Sequence, residues 1–308
     1  MTEHKNNLRA KLKDPRFSGF FHLMVVYVVW SSTYLAIRIG VQEGAGFTPA
    51  ALGTMRVLTA GILLLLWAKL RGDDLKLSKP DFRTLLISSL FLWLGGNGLV
   101  MVAEVRVDSN LAALLVAFVP IWSAMIEMFI DRKRPSMLFI FSLLVGFGGI
   151  SLLTVPTMVN GVRADVLAMI ALLAGALFWA IGSVIQSHNK PRISPFVSAG
   201  YQMLFGGLGF GMIWLISGDP LPTPTTEAWL TLLYLIFAGS MLAFTSYITA
   251  LQRLKTSIVM TYAYVNPVLA VILGWMILNE QISWWTVGGG LLVLLGVWGI
   301  FRERFGEN

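Results

Sequence analysis

An aromatic and hydroxyl-bearing stretch, WSSTYLAIRIG, interrupts an apolar segment near the start of the chain. Trp30, Thr33 and Tyr34 are three and four residues apart, a spacing that places side chains on one face of a helix. Trp179 occupies the matching place in the later segment LFWAIGSVIQSHN, which also carries Ser183. Hydroxyl groups in a bilayer need partners, so this face is expected to point into the protein. We predict that these residues line a cavity that binds a small molecule. Alternatively, the hydroxyls only bond their own helix carbonyls and favour close helix packing.

Arg56 is a cation deep within an apolar segment. At 1.5 Å of rise per residue it lies on the order of 13 Å from the nearer end of that segment. A charge at such depth costs about 2.5 to 3.5 kcal/mol on insertion scales, so it should face protein or water. Glu104 and Glu127 both lie toward the ends of their own segments, and neither is level with it. We predict that Arg56 binds a carboxylate of the substrate, or else is a structural arginine bonded to free backbone carbonyls.

Two further segments, GNGLVMVAE and TYAYVNPVL, each carry an amide that is buried by position. Asn97 and Asn266 either bond the substrate or brace a neighbouring helix. Met101, in the same segment as Asn97, is included in the predicted cavity wall. Tyr262 and Tyr264 would add aromatic surface, but only one can face inward because successive helical residues point about 100° apart. We assign that place to Tyr262.

Pro120 and Pro267 each lie near the middle of an apolar segment. Proline removes one helical hydrogen bond and disturbs the carbonyl four residues earlier, here those of Val116 and Ala263. Paired kinks at such depth suit hinges for a rocking motion, or polar lining of a cavity. We predict hinges, with static kinks that only serve packing as the alternative.

The elements that must position these residues are membrane-spanning helices. Of the 308 residues, 56% are hydrophobic and 13% charged, and the mean hydropathy is +0.74. A water-soluble globular protein of this length does not tolerate such a composition. Apolar stretches of about 20 residues, the length that crosses about 30 Å of hydrocarbon, recur throughout. We predict an all-α integral membrane protein with ten spans, at 20–40, 47–69, 83–103, 109–130, 136–155, 165–187, 195–217, 228–250, 256–278 and 283–301.

The net charge of +7 has a topological origin. When the Lys and Arg residues are assigned to alternate sides of ten spans, 19 fall on one side, three on the other, and Arg56 lies within a span. This bias is the positive-inside pattern, and it predicts that both termini are cytoplasmic. We therefore expect no nucleic-acid partner. The first apolar segment is too long for a signal peptide and lacks a small-residue cleavage site, so we expect it to remain as the first helix.

The sequence repeats itself at an offset of 146 to 149 residues. This offset aligns Trp30 with Trp179, Pro49 with Pro195, Asp81 with Glu227, Pro120 with Pro267, and Gly149 with Gly296. We interpret the chain as two units of five helices, residues 20–155 and 164–301, between cytoplasmic tails at 1–19 and 302–308. Because five is odd, the second unit begins on the opposite side of the membrane, and the units are inverted. An inverted repeat predicts a transporter that works by alternating access around a central cavity.

The same segments carry a family resemblance. WSSTYLAIRIG, GNGLVMVAE and TYAYVNPVLAVILGWMILNEQIS resemble segments of EamA-type transporters in the drug/metabolite transporter superfamily, and the similarity extends over all ten spans. The resemblance implies two inverted EamA repeats, with the fifth and tenth helices outside the central cavity. It also implies export of neutral or aromatic amino acids or similar metabolites, in a superfamily whose substrates vary widely.

Missing residue types narrow the functional classes. A cationic-drug exporter would need a buried carboxylate in the first span, and residues 20–40 contain no Asp or Glu. A nucleotide-sugar or phosphate exchanger would need several deep cations, and only Arg56 qualifies. A membrane-embedded enzyme would need paired acids, a Ser/His pair or a metal cluster within the bilayer, and the segments offer none. We therefore expect a carrier, and neither an enzyme nor a channel or receptor.

We predict a secondary exporter of neutral or aromatic amino acids or related metabolites in a bacterial inner membrane. The alternative is an exporter of another small organic or drug-like compound. We expect no cofactor and no metal, a small molecule and the lipid bilayer as partners, and a monomer. Proton coupling is left open, since Glu104 and Glu127 are the only acids near enough and an uncoupled facilitator fits equally well.

Overall fold

The computed structural model describes residues 15–107, 109–132, 134–159, 165–278 and 284–306, which form helices and connecting turns without a strand. We number the helices in chain order as α1 (Pro15–Val41), α2 (Pro49–Leu70), α3 (Lys79–Glu104), α4 (two segments, Ser109–Val116 and Val119–Asp131), α5 (Met137–Val159), α6 (Val166–His188), α7 (Pro195–Ser217), α8 (Thr226–Arg253), α9 (two segments, Thr256–Val259 and Tyr262–Leu278) and α10 (Trp284–Gly306).

The described part of the chain contains seven helices long and apolar enough to cross a membrane, α1 to α4 and α6 to α8. The described apolar part of α5, Met137–Leu152, is shorter. The sequence-predicted spans agree with the helices to within five residues at each end, apart from the breaks inside α4 and α9. The protein is thus all-helical and built to span a membrane. The count of ten spans and the cytoplasmic placement of the termini stay predictions.

Polar side chains begin the helices where backbone N–H groups lack partners. The side chains of Thr48, Ser78, Ser194 and Thr225 each accept a hydrogen bond from the backbone N–H three residues later. Proline follows in the first turn of α2, α3 and α7, where its missing N–H leaves no helical bond unmade. These capping residues fix where each helix begins, which explains the close agreement with the predicted spans.

Three helices contain a segment of π-helix. The segments are Thr54–Leu58 in α2, Leu90–Asn97 in α3 and Leu235–Leu242 in α8. A π turn bonds each residue to the fifth along the chain, and such turns are rare and frequent at functional sites. The segments in α3 and α8 occupy matching places in the two halves. By contrast, α7, the counterpart of α2, is an uninterrupted α-helix. No feature of the sequence predicted these segments.

α4 and α9 are each interrupted once, after Val116 and after Val259. Pro120 lies in the first turn of the second α4 segment, where proline is well tolerated, whereas Pro267 lies inside the second α9 segment. Of the two carbonyls expected to be disturbed, that of Val116 lies at an interruption and that of Ala263 lies within a helical segment. The interruption of α4 comes directly before its proline, and that of α9 comes well before Pro267. The role of the two prolines as hinges stays a prediction.

Glycines bring α2 and α7 into close contact. A Cβ atom on Gly61 of α2 would lie 2.6 Å from the backbone nitrogen of Leu204 in α7. A Cβ atom on Gly207 of α7 would lie 2.5 Å from the backbone nitrogen of Leu58 in α2. The two contacts exchange under the repeat offset of 146 residues. Because the higher number in one helix meets the lower number in the other, α2 and α7 run antiparallel.

α5 and α10 pack in the same manner. A Cβ atom on Gly149 would lie 2.6 Å from the backbone nitrogen of Val293, and one on Gly296 would lie 2.6 Å from that of Gly146. The repeat offset converts each of these contacts into the other. The residue numbers again run in opposite directions, so α5 and α10 are antiparallel. Small residues allow such close approach in membranes, where dispersion and polar contacts hold helices together. Two pairs of corresponding helices are therefore antiparallel neighbours.

Candidate functional site

A small cavity, which we call the Arg56 cavity, lies between α1, α2, α3, α4, α6 and α9. Its volume is about 50 Å³ measured for the centres of water-sized spheres, which is room for about three to five water molecules. The described parts of α5 and α10 contribute nothing to its wall. Seven of the ten predicted binding residues line it, namely Trp30, Thr33, Tyr34, Arg56, Asn97, Trp179 and Tyr262.

Arg56 supplies the charge of this cavity, and its side chain is buried. Its Nε donates to the Ser240 hydroxyl at 2.9 Å, and its Nη1 donates to the Asn97 amide oxygen at 3.2 Å. Its Cζ lies 5.6 Å from the centre of the Trp93 ring, within cation–π range. Among the described residues, no carboxylate forms an ion pair with the guanidinium, and no residue accepts a hydrogen bond from its Nη2. The guanidinium therefore retains donors for an anionic group.

The three π segments meet at this guanidinium. Arg56 lies in the π segment of α2, its acceptor Asn97 in that of α3, and its acceptor Ser240 in that of α8. The carbonyl of Gly239, also in the α8 segment, accepts a hydrogen bond from Trp30 Nε1 at 3.1 Å. The π segments thus contain residues that make the polar contacts of the cavity wall. Such segments are frequent at functional sites.

Four aromatic rings contact one another beside the cavity. The ring centre of Trp30 lies 5.4 Å from that of Trp179 and 5.0 Å from that of Tyr262, both edge-on. Tyr247, from α8, lies 5.0 Å from Trp30 and 5.5 Å from Trp179. Sequence analysis missed Tyr247 and Trp93. A signal for Tyr247 existed, because its segment AFTSYITA carries four hydroxyl groups within an apolar span.

Three predicted residues do not line the cavity. Met101 is buried elsewhere in the core, and Ser183 is buried one turn beyond Trp179, where it bonds the Tyr247 hydroxyl at 2.5 Å. The amide nitrogen of Asn266, in the orientation that satisfies its neighbours, donates to backbone carbonyls in α9 at 3.0 Å and in α1 at 3.2 Å. Asn266 therefore braces one helix against another, which was the alternative interpretation of this residue.

Glu104 is a fully buried carboxylate near the cavity. Neither of its oxygens accepts a hydrogen bond from a described residue. Arg38, Arg56 and Tyr34 interact with it electrostatically, and Arg38 also donates to its backbone carbonyl. Glu104 thus lies close enough to Arg56 to interact with it electrostatically, without an ion pair, which corrects the expectation that no acid lies near Arg56. Across the described ranges, no three His, Asp or Glu side chains come together as a metal site would require.

Comparison with known protein families matches both halves of the chain. The model of the EamA-like transporter family fits residues 17–155 and fits again at residues 166–302. The chain belongs to the EamA-like transporter family. The two matches begin and end within three residues of the two units predicted from the internal repeat, 20–155 and 164–301.

Relatives of this EamA protein align along most of its length. The transporter YedA of Escherichia coli strain K12, described as an uncharacterized inner membrane transporter, is 33% identical over 278 residues, which is 90% of this chain and 87% of YedA. The uncharacterized transporter YoaV of Bacillus subtilis is 22% identical over 89% of this chain and 94% of its own. A solved crystal structure superimposes with a TM-score of 0.77 at 19% identity, covering 95% of this chain and 99% of that one, and it supports the fold. As an EamA protein, the chain is a membrane transporter of small molecules.

Proposed function

We propose that this EamA protein exports neutral or aromatic amino acids, or closely related metabolites, across the bacterial inner membrane by alternating access. The observation that carries the proposal is one buried guanidinium, Arg56, held by neutral acceptors in a cavity walled by Trp and Tyr rings. A guanidinium binds a carboxylate in bidentate fashion, and aromatic walls suit an apolar or aromatic side chain. One cation among neutral groups therefore favours a zwitterion over a phosphate ester or an organic cation.

The packing of the two halves supports alternating access. Antiparallel contacts between α2 and α7 and between α5 and α10 fit two inverted units related by an axis in the membrane plane. Two such units have two nearly equivalent arrangements, one open to each side of the membrane. We propose ten spans with both termini in the cytoplasm, in keeping with the bias of Lys and Arg. The description of YedA as an inner membrane transporter supports the same location for this chain.

Cargo binding requires the Arg56 cavity to expand. A cavity of about 50 Å³ holds a few water molecules but no amino acid. The surrounding helices must therefore separate before a substrate reaches Arg56.

Transport by the purified chain in liposomes tests the proposal. The panel contains radiolabelled neutral and aromatic amino acids, one sugar phosphate and one organic cation, each measured with and without a pH gradient. We expect transport of amino acids, and stimulation by the gradient would identify proton coupling. Transport of the sugar phosphate or the organic cation, with none of any amino acid, would contradict the proposal.

Arg56 variants test the carboxylate site. We expect Arg56→Ala and Arg56→Gln to lower amino-acid transport about 10- to 100-fold, the value of a charge-assisted hydrogen bond, and Arg56→Lys to lower it less. Amide analogues of the same amino acids should lose much less. Arg106→Ala is the matched control, because this exposed arginine pairs with Asp165 away from the cavity. Equal losses for the acids and their amides would rule out the carboxylate role.

A further inference from the structure

A second, larger cavity lies where α4, α6 and α8 end. Its volume is about 450 Å³ by the same measure as the Arg56 cavity, and it is walled by both acidic and basic side chains. Asp131 at the end of α4 and His188 at the end of α6 bond across it at 3.2 Å. The start of α9 and part of α10 complete the wall. We call this space the vestibule. The charge pattern predicts that this side of the protein is cytoplasmic.

The layer between the two cavities is thin. In α6, Trp179 lines the Arg56 cavity and Ser187 lines the vestibule, with the buried Ser183 midway between them. In α4, Val116 lines the first cavity and Ala124 the second. Each gap is eight residues, or about 12 Å along a helix, so the residues between the two linings occupy about two turns. A channel between the cavities would need only this layer to move.

The same layer coincides with the interruptions of two helices. The first α4 segment ends at Val116, which lines the Arg56 cavity, and the first α9 segment ends at Val259, two residues beyond the vestibule-lining Ser257. The chain resumes α-helical bonding at Val119 and at Tyr262. Interrupted helices can change direction at lower cost than continuous ones, because fewer helical hydrogen bonds must break.

Tyr247 is the side chain that fills this layer from α8. Its ring contacts Trp30, Trp179 and Tyr262, which all line the Arg56 cavity, while Leu251, one turn further along α8, lines the vestibule. The ring is fully buried. Tyr247 therefore lies between residues that line the Arg56 cavity and a residue that lines the vestibule.

Two hydrogen bonds hold the Tyr247 hydroxyl in place. It accepts from Trp179 Nε1 at 3.1 Å and lies 2.5 Å from the Ser183 hydroxyl. Since Ser183 donates its own proton to the Trp179 carbonyl at 2.6 Å, the Tyr247 hydroxyl is the donor to Ser183. Both bonds join α8 to α6, and both would break if the ring swung aside. The ring is also held by its contacts with Trp30 and Tyr262.

We propose that the vestibule is the cytoplasmic mouth of the transport path and that Tyr247 is the gate between it and the Arg56 cavity. The proposal rests on the proposed function only in taking the Arg56 cavity as the place where cargo binds. Opening would consist of the Tyr247 ring leaving Trp179 and Ser183 as the interrupted helices α4 and α9 move apart. Cargo from the vestibule would then reach Arg56.

Cysteine accessibility tests this gate, because the chain has no native cysteine. Ser187→Cys reports on the vestibule, and Val116→Cys reports on the Arg56 cavity without touching a predicted binding residue. Each is labelled with a charged, membrane-impermeant methanethiosulfonate added to the cytoplasmic face of inverted vesicles. We expect Ser187→Cys to react rapidly and Val116→Cys at least about 10-fold more slowly, the ratio that about 1.4 kcal/mol of gating energy produces.

Replacement of Tyr247 should change only the labelling rate of Val116→Cys. Tyr247→Ala should raise the labelling rate of Val116→Cys to near that of Ser187→Cys and leave Ser187→Cys unchanged. Tyr247→Phe keeps the ring but removes both hydrogen bonds, so it should give an intermediate rate and serves if the alanine variant does not fold. Fast labelling of Val116→Cys with Tyr247 intact would overturn the proposal, as would unchanged slow labelling in both folded variants. The measurement needs no cargo, so it stands apart from any failure of the transport assay.

Discussion

Arg56 and Gln202 occupy corresponding places in the two halves of the molecule, since the offset of 146 residues that aligns Pro49 with Pro195 also aligns them. Both are fully buried polar side chains on paired helices, α2 and α7. Arg56 lies in a π segment and faces the cavity. Gln202 lies in a regular α-helix and its amide nitrogen donates to Gln186 at 2.7 Å and to Ser88 at 3.0 Å.

Arg56 and Gln202 differ in the groups that they contact. The Gln202 network consists of neutral groups that bond one another across α3, α6 and α7, and none of them lines the Arg56 cavity. Buried neutral groups that bond one another rigidify a packing arrangement, and in this network only the Gln202 amide oxygen lacks a described partner. Arg56 also joins its helix to two others, through Asn97 and Ser240, but it is a cation with unused donors, which is costly to keep in a membrane. The first unit thus has a group suited to a ligand at this place, and the second unit has a group suited to joining helices.

The largest effect on stability is expected at the antiparallel contact of α2 with α7, which the two regions share. Gly61→Ala and Gly207→Ala place a Cβ atom 2.6 Å and 2.5 Å from backbone nitrogens that cannot move alone, so the helices must separate. We expect each variant to lower the free energy of unfolding by about 2 to 3 kcal/mol, measured by thermal unfolding in detergent.

The matched control for these glycines is Gly211→Ala on the same helix. Its Cβ atom would meet nothing nearer than Thr54 Cγ2 at 3.5 Å, an ordinary contact. We expect it to be neutral or slightly stabilising, because alanine favours the helix. A large loss at Gly61 with none at Gly207 would show that the two helices do not contribute equally to this contact.

Gln202→Ala tests the fastening role. The substitution leaves Gln186 and Ser88 short of partners in the core, and we expect it to lower the free energy of unfolding by about 1 to 3 kcal/mol. The preference for amino acids over their amides should not change, because Gln202 does not face the cavity. Gln252→Ala should cost less, since the Gln252 amide nitrogen is buried without a described partner. A changed substrate preference in Gln202→Ala would contradict the division between the two regions.

The smallest effect is expected where the halves meet, at Trp30 and Trp179. Phenylalanine keeps a ring at either position but removes the indole N–H, which donates to the Gly239 carbonyl from Trp30 and to the Tyr247 hydroxyl from Trp179. We expect each substitution to lower the free energy of unfolding by about 1 kcal/mol. Only Trp179→Phe should speed labelling of the Val116→Cys reporter. If Trp30→Phe speeds it equally, the gate involves both halves.

The sequence alone predicted the helices well and the site in part, and the pattern of success has physical reasons. Apolar length and capping residues are local properties, so the ends of α2 and α7 fell close to the predicted positions. Trp30, Thr33 and Tyr34 were placed together because they share one helix. Asn266, Met101 and Ser183 do not line the cavity in this structure, because their surroundings depend on contacts between helices. Tyr247 escaped notice for the same reason, since its significance comes from rings on three other helices.

The π segments also alter how every span that contains one should be read. A π turn holds one more residue per hydrogen-bonded ring than an α turn. Residues after the segment are therefore rotated by about one residue's angle, roughly 100°, from where a helical wheel drawn through the whole span would put them. A one-residue deletion within Thr54–Leu58 would restore α-helical bonding there and leave Thr59–Leu70 against its present neighbours, while removing the turn that carries Arg56.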